Sequence, residues 1–223
     1  MSAPIECSIG ASQIAAILGI DRFCAPEQLW RRMCGFDPPE PENEHMARGK
    51  FLEAGLCDWW CYLAKAERRE RLYAQHGVVL GNGQLRVTHP EFPWCRATPD
   101  IVAECMPVRG DVRVLIAADT KCPSSGRKKL GEQWVAAWQE STQTAPLGYC
   151  AQSTFQVGVL RAAGVPVVAG ELAAGPLWGK MERVLVPYDG EFFALMLERA
   201  SVFRECVLAK KPLPSEFQQE TES

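Results

Sequence analysis

The chain has 223 residues, 47% of them hydrophobic and 23% charged, which fits one soluble domain over 1–223 with a sizeable core. No apolar run approaches the roughly 20 residues that span a bilayer, and residues 1–10 have neither the basic nor the apolar region of a secretory signal, so a cytoplasmic location without membrane contact is expected. A formal net charge of −3 argues against a passive coat for a polyanion, which binds by neutralising phosphates, although a local basic groove can sit on an acidic chain.

In chain order, 8–19 reads as a short helix of small residues that stops at Gly19. Pro26 at a first turn starts a second short helix over 26–34, and a proline-rich acidic loop follows over 35–43. Phe51, Leu52, Leu56, Trp59, Trp60 and Leu63 recur near helical spacing, which predicts a long helix over 44–75 whose end, Glu67 to Arg71, is a solvated charged face. The period then changes. Strands are expected over 76–80, 84–88, 95–104 and 112–121, punctuated by Gly81, Gly83, Pro90, Pro93 and Gly110. A helix over 147–163, strands over 166–172 and 181–187, and an amphipathic helix over 191–209 complete the pattern. The tail from about 212 is polar and expected to fray. The order of elements predicts an α/β fold, a mixed sheet flanked by helices.

Ten cysteines stand at 7, 24, 34, 57, 61, 95, 105, 122, 150 and 206 without the C-x2-C pairs of a zinc site. They read as small core residues, with an iron–sulfur cluster or a disulfide as the other possibilities.

The chemistry is concentrated in ATPDIVAE (97–104) and AADTKCPSS (117–125). Asp100 and Asp119 are 19 positions apart, each in or beside a predicted strand, and Lys121 follows Asp119 by two, so both side chains leave an extended strand on one face. Carboxylates on a strand that otherwise reads as core are costly without partners. A divalent cation resolves this, because hard cations take carboxylate and carbonyl oxygens. Such a cation activates water for phosphodiester hydrolysis, and an adjacent lysine stabilises the developing charge. On these residues alone the plainer reading prevails, with Asp100 a turn residue after Pro99 and Asp119 and Lys121 a surface ion pair; the pattern is too short to stand by itself.

Taken together, IGASQIAAILGI (9–20), LWRRMCG (29–35), RGKFLEAG (48–55), HPEFPWCRATPDIV (89–102), DTKCPSS (119–125) and GYCAQSTFQ (148–156) resemble, in order, the motifs of the lambda-exonuclease-type (YqaJ-like) viral recombinase nucleases of the PD-(D/E)xK superfamily. The resemblance covers about residues 8–165. It implies a restriction-endonuclease-like core and a Mg2+-dependent exonuclease, with Mn2+ able to substitute, that degrades one strand of linear duplex DNA 5′ to 3′. It further implies a homotrimeric ring acting beside a single-strand annealing protein in phage-type recombination, in a bacterial host cell.

By the same resemblance, Asp100, Asp119 and the backbone carbonyl of Thr120 are metal ligands and Lys121 positions the attacking water. Glu53 supports the metal or its waters, Gln152 orients water or substrate, and Ser12 contacts a DNA phosphate. Two departures stand out. Asp119 occupies a position where Glu is common, and Ile5 stands where some members carry an arginine for the 5′ phosphate. Ser12 with Arg48 or Arg127 is the expected substitute anchor. Gln152 and Gln156 share a helix face, Trp134 and Trp138 read as packing residues, and Arg127, Lys128 and Lys129 as a solvated loop or a phosphate contact. His89 reads as a strand-end structural residue. Two other readings remain open: an iron–sulfur PD-(D/E)xK nuclease, and a non-enzymatic DNA-end binding protein on a nuclease fold.

Overall fold

The computed structural model describes residues 7–21, 23–107, 111–122, 145–175 and 180–217. Its centre is a five-stranded mixed sheet in the order β2-β6-β7-β8-β9, built from Glu67–Arg68 (β2), Ile101–Cys105 (β6), Val114–Lys121 (β7), Ala169–Ala174 (β8) and Glu182–Pro187 (β9). Only β7 and β8 run parallel; the other pairs are antiparallel. A second sheet, in the order β1-β5-β4-β3, joins Ile9–Gly10 (β1), Cys95–Ala97 (β5), Leu85–Thr88 (β4) and Gly77–Val79 (β3).

The alternation of β6 and β7 sorts their side chains between two helical layers. Ile101, Ala103, Ile116 and Ala118 pack with Leu56, Cys57, Trp60 and Ala64 of α3 (Glu44–Ala64). Val102 and Ala117 face the other way, into the larger core with α4 (Leu147–Ala162) and α5 (Gly190–Ala209). The helices α4 and α5 meet closely at Gly158, where an added Cβ would stand 2.3 Å from the Phe193 ring. The α3 layer is tied to the sheet by Trp60 Nε1, which donates to Glu171 Oε1 at 2.9 Å. Glu171 is fully buried and ion-paired with Arg183 of β9.

The structure corrects several expected boundaries. The first element is not one helix over 8–19. Ile9 is fully buried, its N–H bonds the Trp94 carbonyl at 2.7 Å, and it enters the sheet as β1. A 3-10 turn, Ala11–Gln13, and a short α1, Ile14–Ile17, follow, ending at Gly19 with φ +72°. The second helix, α2 (Pro26–Met33), lies where expected.

The long helix begins under an Asn43 cap on the Met46 N–H but stops at Ala64, with Lys65 left-handed at φ +48°. It does not reach 75. The charged run beyond it leaves the helix: Glu67, Arg68 and Arg71 are exposed as expected, but the run forms a short strand and a 3-10 turn and Glu70 is buried. Glu67 and Arg68 pair with Glu104 and Ala103, and the buried Glu70 accepts from the Val102 N–H at 3.2 Å and pairs with Arg68. The expected strand over 95–104 is two strands in two different sheets, parted at 98–100 where Pro99 interrupts pairing. The C-terminal stretch docks as far as Phe217, which is buried with Leu213 against the core; residues 218–223 lie outside the described residues. Among the described residues no helix is long and apolar enough to cross a membrane.

All ten cysteines are unpaired, and five are buried. Burial pushes the thiols of Cys57, Cys95 and Cys105 up to about 12, the behaviour of inert core residues. No group of three His, Cys, Asp or Glu side chains is placed to hold a metal among the described residues.

Candidate active site

The candidate site lies at the C-terminal end of β7, where the central strand delivers Asp119, Thr120 and Lys121 between α3 and α4. Asp119 continues the Ala117 face toward α4 and is only 2% exposed. Its Oδ1 accepts from Gln156 Nε2 at 3.2 Å and its Oδ2 from Gln152 Nε2 at 3.4 Å. Those two glutamines are one turn apart on α4, so a single helix face fixes both carboxylate oxygens. Lys121, on the same strand face, lies 5.5 Å from the centroid of the Tyr149 ring, one turn before Gln152.

Asp100 sits just before β6 and reaches the same place. Its Oδ2 accepts from the Thr120 N–H at 2.7 Å and the Thr120 hydroxyl at 3.0 Å, and its own N–H lies 3.4 Å from Asp119 Oδ1. Its Oδ1 accepts from Gln84 Nε2 at 3.2 Å, and the same amide donates to Glu53 Oε1 of α3 at 2.9 Å. Gln84 therefore links Glu53 to the aspartate pair.

Burial, and then the charge of Asp119, push the Asp100 carboxyl up to about 7; Lys121 and the Thr120 N–H pull against them. Burial disfavours the Lys121 ammonium, but Asp119 and Asp100 outweigh it and hold the lysine above its ordinary range. The site thus gathers more negative charge than one lysine balances, which is the donor set a hard divalent cation fits. Asp100 and Asp119 supply the carboxylates, and Mg2+ characteristically keeps several waters beside one or two of these. Thr120 contacts Asp100 through its N–H and hydroxyl.

Of the other expected site residues, Ser12 is exposed on the 3-10 turn. Together with Gln152 and Gln156 it lines a cleft of about 370 Å3 whose basic residues are Arg86 and Arg96. Arg48 is elsewhere, on α3, with Nη2 3.9 Å from Cys122 Sγ, and it does not line that cleft. Arg127, with Lys128, Lys129, Trp134 and Trp138, lies outside the described residues.

His89 is buried, accepts from the Glu91 and Phe92 N–H groups and packs on Phe92 and Phe193, a structural role. Sequence reading missed Gln84, Arg86 and Arg96. The buried alternation of Leu85 and Val87 sets Gln84 and Arg86 on the opposite strand face, and the Thr88–Arg96 register brings Arg86 to Thr98; neither relation is local in sequence.

Sequence comparison finds no matching family model and no matching curated protein. Solved structures do match. LHK-Exo, an alkaline exonuclease from Laribacter hongkongensis, superposes with a TM-score of 0.64 over 93% of this chain and 90% of its own at 14% identity. Its structure in complex with dAMP matches with the same score over 92% of this chain and 90% of its own at 14% identity. A phage-related exonuclease from Haemophilus somnus 129PT matches with a TM-score of 0.51 over 91% of this chain and 94% of its own, also at 14% identity. The chain thus has a nuclease core fold. In particular, over nearly its whole length it has the fold of these alkaline and phage-related exonucleases.

Proposed function

We propose that this chain is a Mg2+-dependent exonuclease that degrades one strand of linear duplex DNA, 5′ to 3′, in phage-type recombination by single-strand annealing. The observation that carries the reading is the convergence of Asp100, Asp119 and Lys121 at one strand end of an exonuclease fold, with both oxygens of Asp119 held by glutamines of one helix.

A divalent cation held by Asp100 and Asp119 would polarise a phosphoryl oxygen and acidify its water. The protein's own groups do the rest. Gln152 and Gln156 keep Asp119 in one rotamer, Thr120 does the same for Asp100, and Gln84 positions Glu53. Lys121 is held protonated by the carboxylates, so it acts as a hydrogen-bond donor that orients water and stabilises charge developing on the phosphate. Homotrimeric assembly, DNA ends as substrate and a single-strand annealing partner belong to the same reading; a monomer mass by light scattering would remove the first.

The carboxyl shift gives a test of the metal that needs no turnover. Asp100 in the folded, metal-free protein holds its proton to about 7, against about 3.9 in an unfolded chain. The folded state therefore binds the extra proton between these values, and this site's contribution to stability falls as pH rises through that window. A cation needs the ionised carboxylate, so it must displace that proton at the acid end. The rise in Tm caused by millimolar Mg2+ is expected to be small near about pH 5 and to grow up to about pH 7 to 8. A Mg2+ effect that is flat over this range contradicts the assigned ligands.

The cleft with Arg86 and Arg96 supports a revised anchor for the DNA backbone, since guanidinium forks suit phosphate. Arg86→Ala and Arg96→Ala are each expected to raise KM for DNA ends and to reduce the salt slope of binding by about 1, leaving the rate at saturating DNA nearly unchanged. An unaltered salt slope in both variants would remove the anchor from this cleft.

A further inference from the structure

The helix α3 carries one of the expected site residues, Glu53, on the stripe that faces the central sheet. Glu53, Leu56, Cys57, Trp60 and Ala64 recur at helical spacing and share one side of the helix. The last four are buried, and what they meet is small or aliphatic: Ala103, Ala118 and Ala173 beside Ile101 and Ile116. Apolar packing is not directional, and a surface rich in alanine does little to fix the height of a helix upon it. A shift of one residue along the helix axis is about 1.5 Å. Glu53 cannot absorb such a shift, because its Oε1 is held at 2.9 Å by the Gln84 amide that also donates to Asp100.

A directional contact lies two turns further along the stripe. Trp60 is fully buried, and its Nε1 donates to Glu171 Oε1 at 2.9 Å. Glu171 stands on β8 opposite Ala118 of β7, one residue before Asp119. Both of its oxygens are held by Arg183: Nε bonds Oε1, and Nη2 lies 3.3 Å from Oε2 and 3.1 Å from the Met106 carbonyl. The guanidinium is also 5.8 Å from the Trp60 ring. The acceptor that meets Trp60 is therefore fixed in place. Between the two ends of the stripe, Cys57 Sγ lies 3.7 Å from Thr120 Oγ1, the hydroxyl that donates to Asp100. A buried ion pair adds little stability over apolar residues of the same volume, and its best-attested use is to specify a register.

We propose that Trp60, Glu171 and Arg183 form a positioning device that sets the height of α3 on the sheet and thereby holds Glu53 at the metal site; the inference rests on the nuclease reading above. The three are positioning residues, and their effect reaches the chemistry through Glu53.

The test is a cycle of wild type, Trp60→Phe, Glu53→Ala and the double variant. Trp60→Phe removes the donor and keeps an aromatic ring. It is expected to lower the single-turnover rate at saturating DNA by about 10- to 100-fold, the scale of an ångström misplacement, with KM for linear duplex unchanged. Calorimetric titration with Mg2+ alone should show weaker binding in Trp60→Phe and in Glu53→Ala. Once Glu53 is truncated, Trp60→Phe should cost less than about 2-fold in either readout. Its effect on Tm should be the same in both backgrounds, because the two positions are roughly 10 Å apart along the helix. Glu171→Gln, whose single carbonyl oxygen cannot serve both Trp60 and Arg183 Nη2, goes through the same cycle and keeps the test decisive if Trp60→Phe does not fold. Wild-type rate and Mg2+ affinity in these variants overturn the proposal, and so do losses that multiply in full with that of Glu53→Ala; the nuclease reading stands in both cases. Wild-type protein that binds Mg2+ and cleaves no DNA ends the nuclease reading, and the titration cycle still decides whether the register holds Glu53.

Discussion

Lys121→Ala is expected to lower the single-turnover rate of duplex cleavage by about 10²- to 10³-fold, the usual cost of removing one charge-stabilising donor from a preorganised site, while DNA binding stays close to normal. Lys121 is the cation on the Asp119 face of β7 and is kept charged by both aspartates. Its loss should remove stabilisation from the transition state and leave the proposed DNA-backbone anchor at Arg86 and Arg96 in place. Lys121→Arg should not restore the rate, because the planar fork cannot replace a compact ammonium beside Tyr149. Single-turnover digestion alongside a binding titration separates the two effects. A Lys121→Ala protein that cleaves at near-normal rate would falsify the role given to the lysine.

Asp119→Ala is expected to remove metal binding and cleavage together, since Asp119 is a buried carboxylate at the centre of the site. The truncation also removes the acceptor of the half-buried Gln152 and one of two acceptors of the buried Gln156, whose amide still reaches the Thr98 carbonyl at 3.4 Å. Asp119→Asn keeps the shape and supplies a cleaner comparison, with the same expected loss of metal binding. Asp119→Glu should keep measurable activity, because it retains the carboxylate, yet fall below wild type, because a longer side chain must fit a position that is 2% exposed. Calorimetric Mg2+ titration of the three variants, read beside their digestion rates, checks this. An Asp119→Ala protein that still binds Mg2+ at wild-type affinity means the carboxylate is not a ligand.

The site was readable where its residues are local and periodic. The two-residue step from Asp119 to Lys121 sets both on one strand face, and the four-residue step from Gln152 to Gln156 sets both on one helix face; the structure brings those faces together around Asp119. The rest depends on pairing that no local pattern carries. The run Glu67 to Arg71 has the composition of a solvated helix face, and only its pairing with β6 buries Glu70. Ile9 carries a helical neighbourhood in sequence, but its partner strand begins at Cys95, so the β1–β5 pairing is invisible without the fold.

The cleft arginines follow the same logic. The absence of an arginine at Ile5 raised the need for another anchor, but Arg86 and Arg96 stand near Ser12 only through the β4–β5 register and the docking of β1 beside β5. Gln84 belongs to a turn sequence, GNGQ, and its bonds to Glu53 and Asp100 join segments 31 and 16 residues away.

Metal-dependent cleavage of DNA from an end can be tested in one experiment. The most direct measurement incubates linear duplex carrying a 5′ or a 3′ label, together with closed circular duplex, in Mg2+, Mn2+, Ca2+ or EDTA. Release of the 5′ label ahead of the 3′ label is expected from linear DNA in Mg2+ and Mn2+. The circle should stay intact throughout, and Ca2+ should give binding without cleavage, because its looser coordination aligns water and phosphate poorly. Cleavage of linear DNA in EDTA would contradict the metal site, cutting of the closed circle would contradict action from an end, and binding without cleavage in every metal would leave a non-enzymatic DNA-end binding protein on a nuclease fold.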